Sequence, residues 1–353
     1  MTVVFAILLV SFLIFIHELG HFVAAKLSGV QVNEFSMFMG PAIFKKQKGE
    51  TLYAIRCIPI GGSCAMEGEN GDSDNPRAFG KAAWWKRLII LVAGSGMNFI
   101  AGILIMLCIY MPATEIVTPV ISGFESYSTI NGAGGLQTGD RLLEVDGEKI
   151  YSIADFDLIL SLNTGDVHDL VVERNGEKVT LSDFEMQRHS VVDNNGKERQ
   201  LLGVSFTKQK ADFSLKVQQA WYDCLDTVRN VRLSLQMLLT GRAGLEDMTG
   251  VVGIVKVMSD SAAETDKTSD AVINMLYFGA FLAINLAVMN MLPVPALDGG
   301  RATGLLITTA AEKITGKKIN PKYEAYLHGA GMILLFILMA VLMFKDIFVI
   351  IKG

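Results

Sequence analysis

An apolar N-terminal run that contains two histidines and a glutamate constrains this chain more than any other feature. Residues 3–16 carry a single polar side chain, Ser11, and the run continues into His17, Glu18 and His21. A stretch of this length and composition predicts a membrane-spanning helix. Ionisable side chains are costly inside a bilayer, so their presence at membrane depth indicates a functional site.

The spacing of the two histidines points to metal binding. His17 and His21 are four residues apart, so they lie on one face of a helix and can reach the same metal ion. Glu18 lies beside them and can take a proton from a water molecule bound to that metal. The alternative is a pair of structural histidines that pack between helices.

A catalytic zinc ion needs a third protein ligand, and Asp298 is the candidate that the sequence offers at membrane depth. It lies in the segment 290–300, which contains two prolines and two glycines. Irregular backbone at this depth is tolerated only where it is buried or lines a cavity, and a carboxylate there favours a cation. The alternative is an Asp-Gly pair that ends a helix at the membrane interface. We expect His168, His189 and His328 to be surface or interface residues.

The composition predicts a polytopic α-helical membrane protein. The chain of 353 residues is 51% hydrophobic and 19% charged, and four stretches are long and apolar enough to span a bilayer. A net charge of −5 gives no indication of nucleic-acid binding, and four cysteines without a CxxC pair argue against a cysteine-based zinc site or a disulfide framework. The N-terminal run lacks a positive n-region, so we expect it to be retained. The predicted spans are 3–25, 88–111, 271–292 and 329–351.

The distribution of basic residues predicts the orientation of the chain. Nine lysines and arginines lie between residues 26 and 87, and five lie between 301 and 322. By the positive-inside rule both segments are cytoplasmic, so the first span runs inward and the histidine pair lies in its cytoplasmic half. The domains expected are a membrane core at 1–111, an extracytoplasmic domain at 112–210, a surface helix and linker at 211–270, and a second membrane core at 271–353.

The segment outside the membrane has the pattern of a small β-rich domain. Asp-Gly and Asn-Gly turns predict β-hairpins at 140–150 and 170–181, and 152–163 between them is typical of a short amphipathic helix. Residues 134–140 resemble the GLxxGD signature of PDZ domains in bacterial membrane proteases. A PDZ domain binds a peptide C-terminus by adding it to a sheet edge, whereas a small β-rich domain without a peptide partner is the alternative. Residues 213–240 predict a helix on the outer membrane surface.

The motifs together resemble the site-2 protease family of intramembrane zinc metalloproteases, in the form with one PDZ domain. The HExxH sequence at 17–21 and the distal LDGG at 297–300 carry the resemblance, which extends over nearly the whole chain. Further matching segments are Ile58–Gly62 with Met66–Glu69, residues 78–99, and Thr249–Ile254. Two departures, Ser95 and Val251, replace prolines that are usual in the family, and neither touches a metal ligand.

The resemblance implies roles for individual residues and a class of substrate. His17, His21 and Asp298 would ligate Zn²⁺, and Glu18 would be the general base. Asn290, with Pro293 and Pro295, would hold the substrate strand, and a membrane-associated β-hairpin at 50–66 would pair with it through Tyr53 and Ile55. The substrates would be single-span membrane proteins in a bacterial cytoplasmic membrane, either trimmed anti-sigma factors or leftover signal peptides.

Two other functions fit parts of the pattern. A metal or proton transporter would use intramembrane His, Glu and Asp residues as a relay, but it would be expected to show inverted repeats with paired broken helices. The chain has one proline-broken segment and no partner half. A non-catalytic PDZ scaffold would not need an intact Glu18 between two ligands.

Overall fold

Four of the described helices are long and apolar enough to cross a membrane, as predicted. The computed structural model describes residues 2–352 except 70, 72, 133, 164, 193–197, 243, 245–267 and 317–320. The predicted motif at 249–254 therefore lies outside the described residues. The spans are Ile7–Ser28, Trp84–Tyr110, Val272–Asn290 and Tyr326–Asp346, each within a few residues of its predicted position. They belong to α1 (Thr2–Ser28), α2 (Trp84–Tyr110), α5 (Thr268–Asn290) and α7 (Pro321–Lys352).

A long β-hairpin follows the first helix and is larger than the sequence predicts. It is formed by β1 (Val32–Lys48) and β2 (Thr51–Met66), so it begins well before residue 50. Both strands bend, and the first half of β1 lies between the two halves of β2, since Phe35 is opposite both Tyr53 and Cys64. The turn is held by Glu50, which accepts bonds from Lys26 at 2.7 Å and from Arg77 at 2.6 Å.

Glu50 at this turn stays ionised at neutral pH. Hydrogen bonds from Arg77 and Lys26 lower the pKa of the Glu50 carboxyl to about 2. The Glu50 carboxyl is therefore ionised above about pH 2, and its contribution to the stability of the cluster is present above about pH 4.5 and is lost as the pH falls towards 2. The hairpin turn is thus tied to the end of α1 and to the segment before α2.

Close helix packing depends on glycines in the compact unit of residues 1–106 and 227–353, which contains the four spans except the last turn of α2 and which we call the membrane unit. A Cβ atom at Gly20 of α1 would lie 2.4 Å from the carbonyl oxygen of Ala93 on α2. A Cβ atom at Gly102 of α2 would lie 2.4 Å from Ile284 Cγ1 on α5. Lipid chains are as apolar as the side chains, so helices in a membrane associate through close van der Waals packing at small residues.

A helix that the sequence did not predict follows the proline-broken segment. Helix α6 spans Asp298–Thr315, between the third and fourth predicted spans, and it ends at Gly316 in the left-handed conformation. Two glycines near its start lowered the expected helix propensity. In the structure they allow close approach, because a Cβ atom at Gly299 would lie 2.2 Å from Met291 backbone atoms and one at Gly300 would lie 2.1 Å from the Val294 oxygen.

Residues 107–226 form a separate compact unit built on a β-sheet. Both predicted hairpins are confirmed, with Asp146-Gly147 and Asn175-Gly176 at positive φ in their turns. The predicted helix is α3 (Ile153–Leu162), which begins at a capping box formed by Ser152 and Asp155. The strands are β3 (Glu115–Phe124), β4 (Arg141–Val145), β5 (Glu148–Lys149), β6 (Val167–Arg174), β7 (Glu177–Glu185), β8 (His189–Val192), β9 (Glu198–Leu201) and β10 (Val204–Lys210). The sheet order is β10-β3-β4-β6-β7, with β5 paired to β4 and a separate β8-β9 hairpin.

The predicted helix at 213–240 is also present, as α4 (Phe213–Leu239). Its buried face is rich in polar groups, including Asp223, which accepts a hydrogen bond from the Tyr110 hydroxyl at 2.6 Å. Its exposed face carries Phe213, Val217 and Trp221 at a spacing of four residues. This apolar stripe agrees with the predicted surface helix, whose contact with a membrane stays a prediction.

We predict that substituting Gly102 with Ala destabilises the membrane unit, because the added methyl group would overlap Ile284 on α5. Overpacking of this kind costs about 1–3 kcal/mol. Gly96 on the same helix is the matched control, since a Cβ atom there would meet no atom within 4 Å. Thermal unfolding of the purified protein in detergent should show a lower midpoint for Gly102→Ala and no loss for Gly96→Ala. Equal midpoints for the two variants would contradict the packing role.

Candidate metal centre

Three side chains from two helices converge as the sequence predicts. Asp298 Oδ2 lies 2.9 Å from His17 Nε2 and 3.1 Å from His21 Nε2. The two histidine Nε2 atoms are 3.2 Å apart. The His17 and His21 side chains are 11% and 10% exposed, and the Asp298 side chain is 18% exposed. Among the described residues, this is the group of His, Cys, Asp and Glu side chains that fits a metal ion.

The spacing of these donors fits zinc. Zinc in proteins takes nitrogen and oxygen ligands at about 2.0–2.2 Å in tetrahedral geometry, which places the ligand atoms about 3.3 Å from one another. The three measured separations, 2.9, 3.1 and 3.2 Å, are close to that value. Three protein ligands leave a fourth position for water or substrate, as a catalytic site requires.

A hydrogen bond from the second ring nitrogen of His21 determines its tautomer. We call the point between the His17, His21 and Asp298 donor atoms the centre. His21 Nδ1 lies 2.8 Å from the carbonyl oxygen of Ile90 on α2. A carbonyl oxygen can only accept, so Nδ1 carries the proton and Nε2 presents its lone pair to the centre. The Nδ1 atom of His17 is buried and has no hydrogen-bond partner in the described part of the chain. The His17 ring is therefore positioned by the contact between its Nε2 atom and Asp298.

Backbone from α2 and β2 closes around the centre. A Cβ atom at Gly94 would lie 2.4 Å from His21 Nε2 and 2.8 Å from His17 Cε1, so α2 packs directly on both rings. A Cβ atom at Gly62 of β2 would lie 3.1 Å from Glu18 Cγ. The stem of the Glu18 side chain is therefore bounded by the hairpin strand.

The segment before Asp298 is irregular, and a helix from elsewhere supports it. Ala296 has a φ of 80°, which is unusual for a residue with a side chain, and its N–H donates to His328 Nδ1 at 3.0 Å. His328 lies on α7, where we expected only an interface residue. The sequence carried no local signal for this contact, because the two residues are 32 positions apart.

An ion pair joins α6 to the loop after the hairpin. Arg301, three residues beyond Asp298, donates to Glu69 Oε1. The other carboxylate oxygen of Glu69 accepts a bond from the Met66 N–H at 3.3 Å. The helix that carries the third donor is thus connected to the end of β2.

The predicted substrate-binding residues are less closely linked to the centre. Asn290 ends α5, and Pro293 and Pro295 lie in the segment that leads to Asp298. Tyr53 and Ile55, however, do not lie at an edge of the hairpin sheet. Tyr53 is opposite Phe35 and also Lys46, and Ile55 is opposite Met37 and also Phe44. A substrate strand could not pair with their backbone, because neighbouring strands occupy both sides of it. Their role in substrate binding stays a prediction.

One further histidine prediction is wrong. His168 is 3% exposed rather than a surface residue, and its Nδ1 lies 2.8 Å from Asp146 Oδ2. This contact stabilises the Asp146-Gly147 turn of the first β-hairpin. Burial alone would raise the pKa of Asp146, but bonds from His168, from the Asp169 N–H and from Asn163 outweigh it and lower that pKa.

The comparisons with known proteins agree with this geometry. The model of peptidase family M50 matches residues 5–338. A protein of Clostridium acetobutylicum named as a zinc metalloprotease is 35% identical over 350 residues, covering 98% of this chain and 97% of its own length. A protein of Clostridium perfringens named in the same way is 33% identical over 352 residues, covering 98% of both. The regulator of sigma-W protease RasP of Bacillus subtilis is 29% identical over 434 residues, again covering 98% of both.

These matches distinguish between the functions that the sequence left open. A transporter and a non-catalytic scaffold are set aside, since the relatives are named as proteases and as zinc enzymes. Zn²⁺ is the cofactor, and the four apolar helices make the chain a multi-pass membrane protein. The chain therefore belongs to peptidase family M50, the site-2 protease family of zinc metalloproteases.

Proposed function

We propose that the protein is an endopeptidase that cuts the transmembrane segments of single-span membrane proteins. The observation that carries the proposal is the convergence of His17, His21 and Asp298, whose donor atoms lie 2.9–3.2 Å from one another. The two histidines lie on a helix of membrane-spanning length. Glu18 lies on the same helix. A site at membrane depth suits a substrate that itself lies in the bilayer rather than a soluble protein.

The chain's own residues would divide the work of hydrolysis. His17, His21 and Asp298 would hold zinc, and Glu18 would accept a proton from water and pass it to the leaving amine. A bound zinc ion supplies a Lewis acid that polarises the scissile carbonyl and lowers the pKa of water. Gly62 limits the positions of the Glu18 side chain from the hairpin side. The His21 tautomer is held by the Ile90 carbonyl.

A substrate helix must unwind before it can be cut, because its amides are hidden in its own hydrogen bonds. We place the extended substrate along Ile58–Ser63 of β2 rather than along Tyr53 and Ile55. Residues of this part of β2 are opposite β1 on one side, and no described strand is registered on the other. Ser11 of α1 donates to the Pro59 carbonyl at 3.0 Å, and Gly62 is next to Glu18. Main-chain pairing with an open edge is a recurrent way to hold a peptide. Asn290, Pro293 and Pro295 remain candidates for the opposite side.

The name of one relative supports a class of substrate. RasP of Bacillus subtilis is named as a regulator of sigma-W. We infer that this chain cuts regulators of the anti-sigma-factor type after prior trimming, or remnant signal peptides. We place it in a bacterial cytoplasmic membrane, with the zinc site towards the cytoplasmic leaflet, on the basis of the basic residues at 26–87 and 301–322.

We propose that the unit at 107–226 is a single extracytoplasmic PDZ domain. A cavity of about 460 Å³ lies between α3 and β10, lined by Phe156 and Leu160 on the helix and by Val204 and Phe206 on the strand. Leu201, Leu202 and Gly203, which precede this strand, also line the cavity. A groove between a helix and an edge strand suits a peptide that adds to the sheet.

The position of this cavity changes one expectation. We expected a peptide C-terminus to be read through residues 134–140. Asp140 is fully buried, accepts from the Gln137 N–H at 2.8 Å and is paired with Arg174 at 2.7 Å. The Asp140 carboxylate therefore stabilises a turn and is not accessible to a peptide. The candidate peptide site is therefore the cavity at α3 and β10.

We predict that Glu18→Gln retains zinc and loses cleavage. The substitution keeps the shape of the side chain but removes its ability to accept a proton, which typically costs about 10²–10⁴ in rate. Cleavage of a single-span substrate in detergent or vesicles and the zinc content of the same sample give the two readouts. Glu177→Gln, at an exposed position of β7, is the matched control. Wild-type cleavage by Glu18→Gln would exclude this mechanism.

We predict that Asp298→Asn loses zinc as well as activity, because a neutral amide is a poor replacement for a carboxylate ligand. Zinc content after purification would be compared with that of the unchanged protein. Glu312→Gln removes one carboxylate from the same helix, about four turns away, and should keep its zinc. Full zinc occupancy and activity in Asp298→Asn would remove Asp298 from the ligand set.

We predict that the PDZ domain restricts access of untrimmed substrates, so its deletion should permit their cleavage and leave the cleavage of a trimmed substrate intact. Deletion of about residues 118–208 suits this test, because Val117 is opposite Lys208 and Ile116 is opposite Gln209, so the new ends are neighbours. Both substrates would be compared in the same membranes. Loss of trimmed-substrate cleavage by a folded, zinc-loaded protein would instead favour recruitment through the cavity.

A further inference from the structure

We propose that His328, on the fourth span, is a positioning residue that holds Asp298 in place for zinc through the backbone of the preceding segment. His328 Nδ1 accepts the Ala296 N–H at 3.0 Å, two residues before Asp298. The inference rests on the proposed role of Asp298 as a ligand. It assigns to α7 a part in building the metal centre, although the three donors come from α1 and α6.

The segment needs such a partner because its own backbone bonds are few. Pro293 and Pro295 have no N–H to donate. Val294 donates to Leu292 at 2.7 Å, and Leu297 donates to Val294 at 3.2 Å, so both bonds close tight local turns. The Ala296 N–H is directed away from these turns to a side chain of another helix.

The conformation of Ala296 shows why this bond matters. Its φ of 80° lies in the left-handed region, which a residue with a Cβ atom adopts only when its surroundings impose it. The two neighbours of Ala296 in the chain are Pro295 and Leu297, and the next residue is Asp298. A change in the Ala296 conformation would therefore redirect the start of α6 and the carboxylate that it carries.

A second contact from α7 supports the same conclusion independently. Gly331 lies three residues after His328, on the same side of the helix. A Cβ atom there would lie 2.6 Å from both the Cβ atom and the carbonyl oxygen of Pro295. Helix α7 thus touches the segment at two adjacent points, one polar and one purely steric.

The hydrogen bond also defines the state of the imidazole. A backbone N–H can only donate, so His328 Nδ1 must present its lone pair and the proton of the neutral ring lies on Nε2. An asparagine at this position carries its Oδ1 acceptor close to the place of Nδ1. A glutamine has its amide one bond further out, close to the place of Nε2, and provides no acceptor at the nearer position.

The test is the zinc affinity of two substitutions that differ in this acceptor. His328→Gln should lower zinc affinity about 10–100-fold, the usual effect of removing a group that orients a metal ligand. His328→Asn should keep an affinity near that of the unchanged protein. Affinity would be measured on the purified full chain by competition with a chromogenic zinc chelator, a readout that does not depend on cleavage.

Three further variants make the result specific. Gly331→Ala should also lower zinc affinity, by displacing Pro295, while Met332→Ala, at a residue that is 50% exposed on the same helix, should not. Thermal unfolding of the zinc-free form should be similar for His328→Gln and His328→Asn, which separates positioning from folding. Asp298→Asn, measured alongside, gives the affinity of a centre without its third donor.

The outcomes separate this proposal from the proposed function. Unchanged affinity in His328→Gln, or equal losses in His328→Gln and His328→Asn, would overturn the positioning role, and Asp298→Asn would still test the ligand set. Unchanged affinity in Asp298→Asn would remove the ligand itself, and the role of His328 with it. Loss in His328→Gln with recovery in His328→Asn would support it.

Discussion

The meeting of His17, His21 and Asp298 is the interaction on which the rest of the structure depends. Each donor would be costly alone in a membrane-spanning unit, since an isolated polar or charged group cannot be solvated there. Together they could hold a cation, because the separations of their donor atoms suit tetrahedral zinc. The elements around them can be understood by how each keeps one donor in place.

Contacts with the backbone, more than with side chains, keep these donors in place. Gly20 and Gly94 let α1 and α2 approach until the second helix lies directly on the two imidazoles, and the Ile90 carbonyl sets the His21 tautomer. Gly299 and Gly300 let the start of α6 pack on the segment that precedes it. Close approach at small residues is the general means of helix association in a membrane, and here it also shapes the centre.

The position of Asp298 depends on the strained segment that precedes it. Asp298 begins a helix straight after a turn that has two prolines and a left-handed alanine. A regular helix through this region would carry its own hydrogen bonds and would need no external support. The broken segment instead depends on contacts from α7 and, through Arg301 and Glu69, is connected to the hairpin. The hairpin strand proposed to hold the substrate and the helix that begins at Asp298 are therefore linked by a short series of direct contacts.

The sequence by itself determined the four spans, the histidine pair with its glutamate, the candidate third ligand, and the two Asp-Gly and Asn-Gly hairpins. Each of these depends on local information: apolar length, spacing on one helix, or the backbone freedom of a turn. Only the tertiary structure decided that Tyr53 and Ile55 lie inside the sheet, that His168 is buried, and that His328 contacts Ala296. These features join residues that are distant in the chain, and no local pattern encodes which of several possible partners a strand or a side chain meets. The glycines at 299 and 300 show the same limit, because their propensity argued against a helix while their lack of a side chain is what allows α6 to pack there.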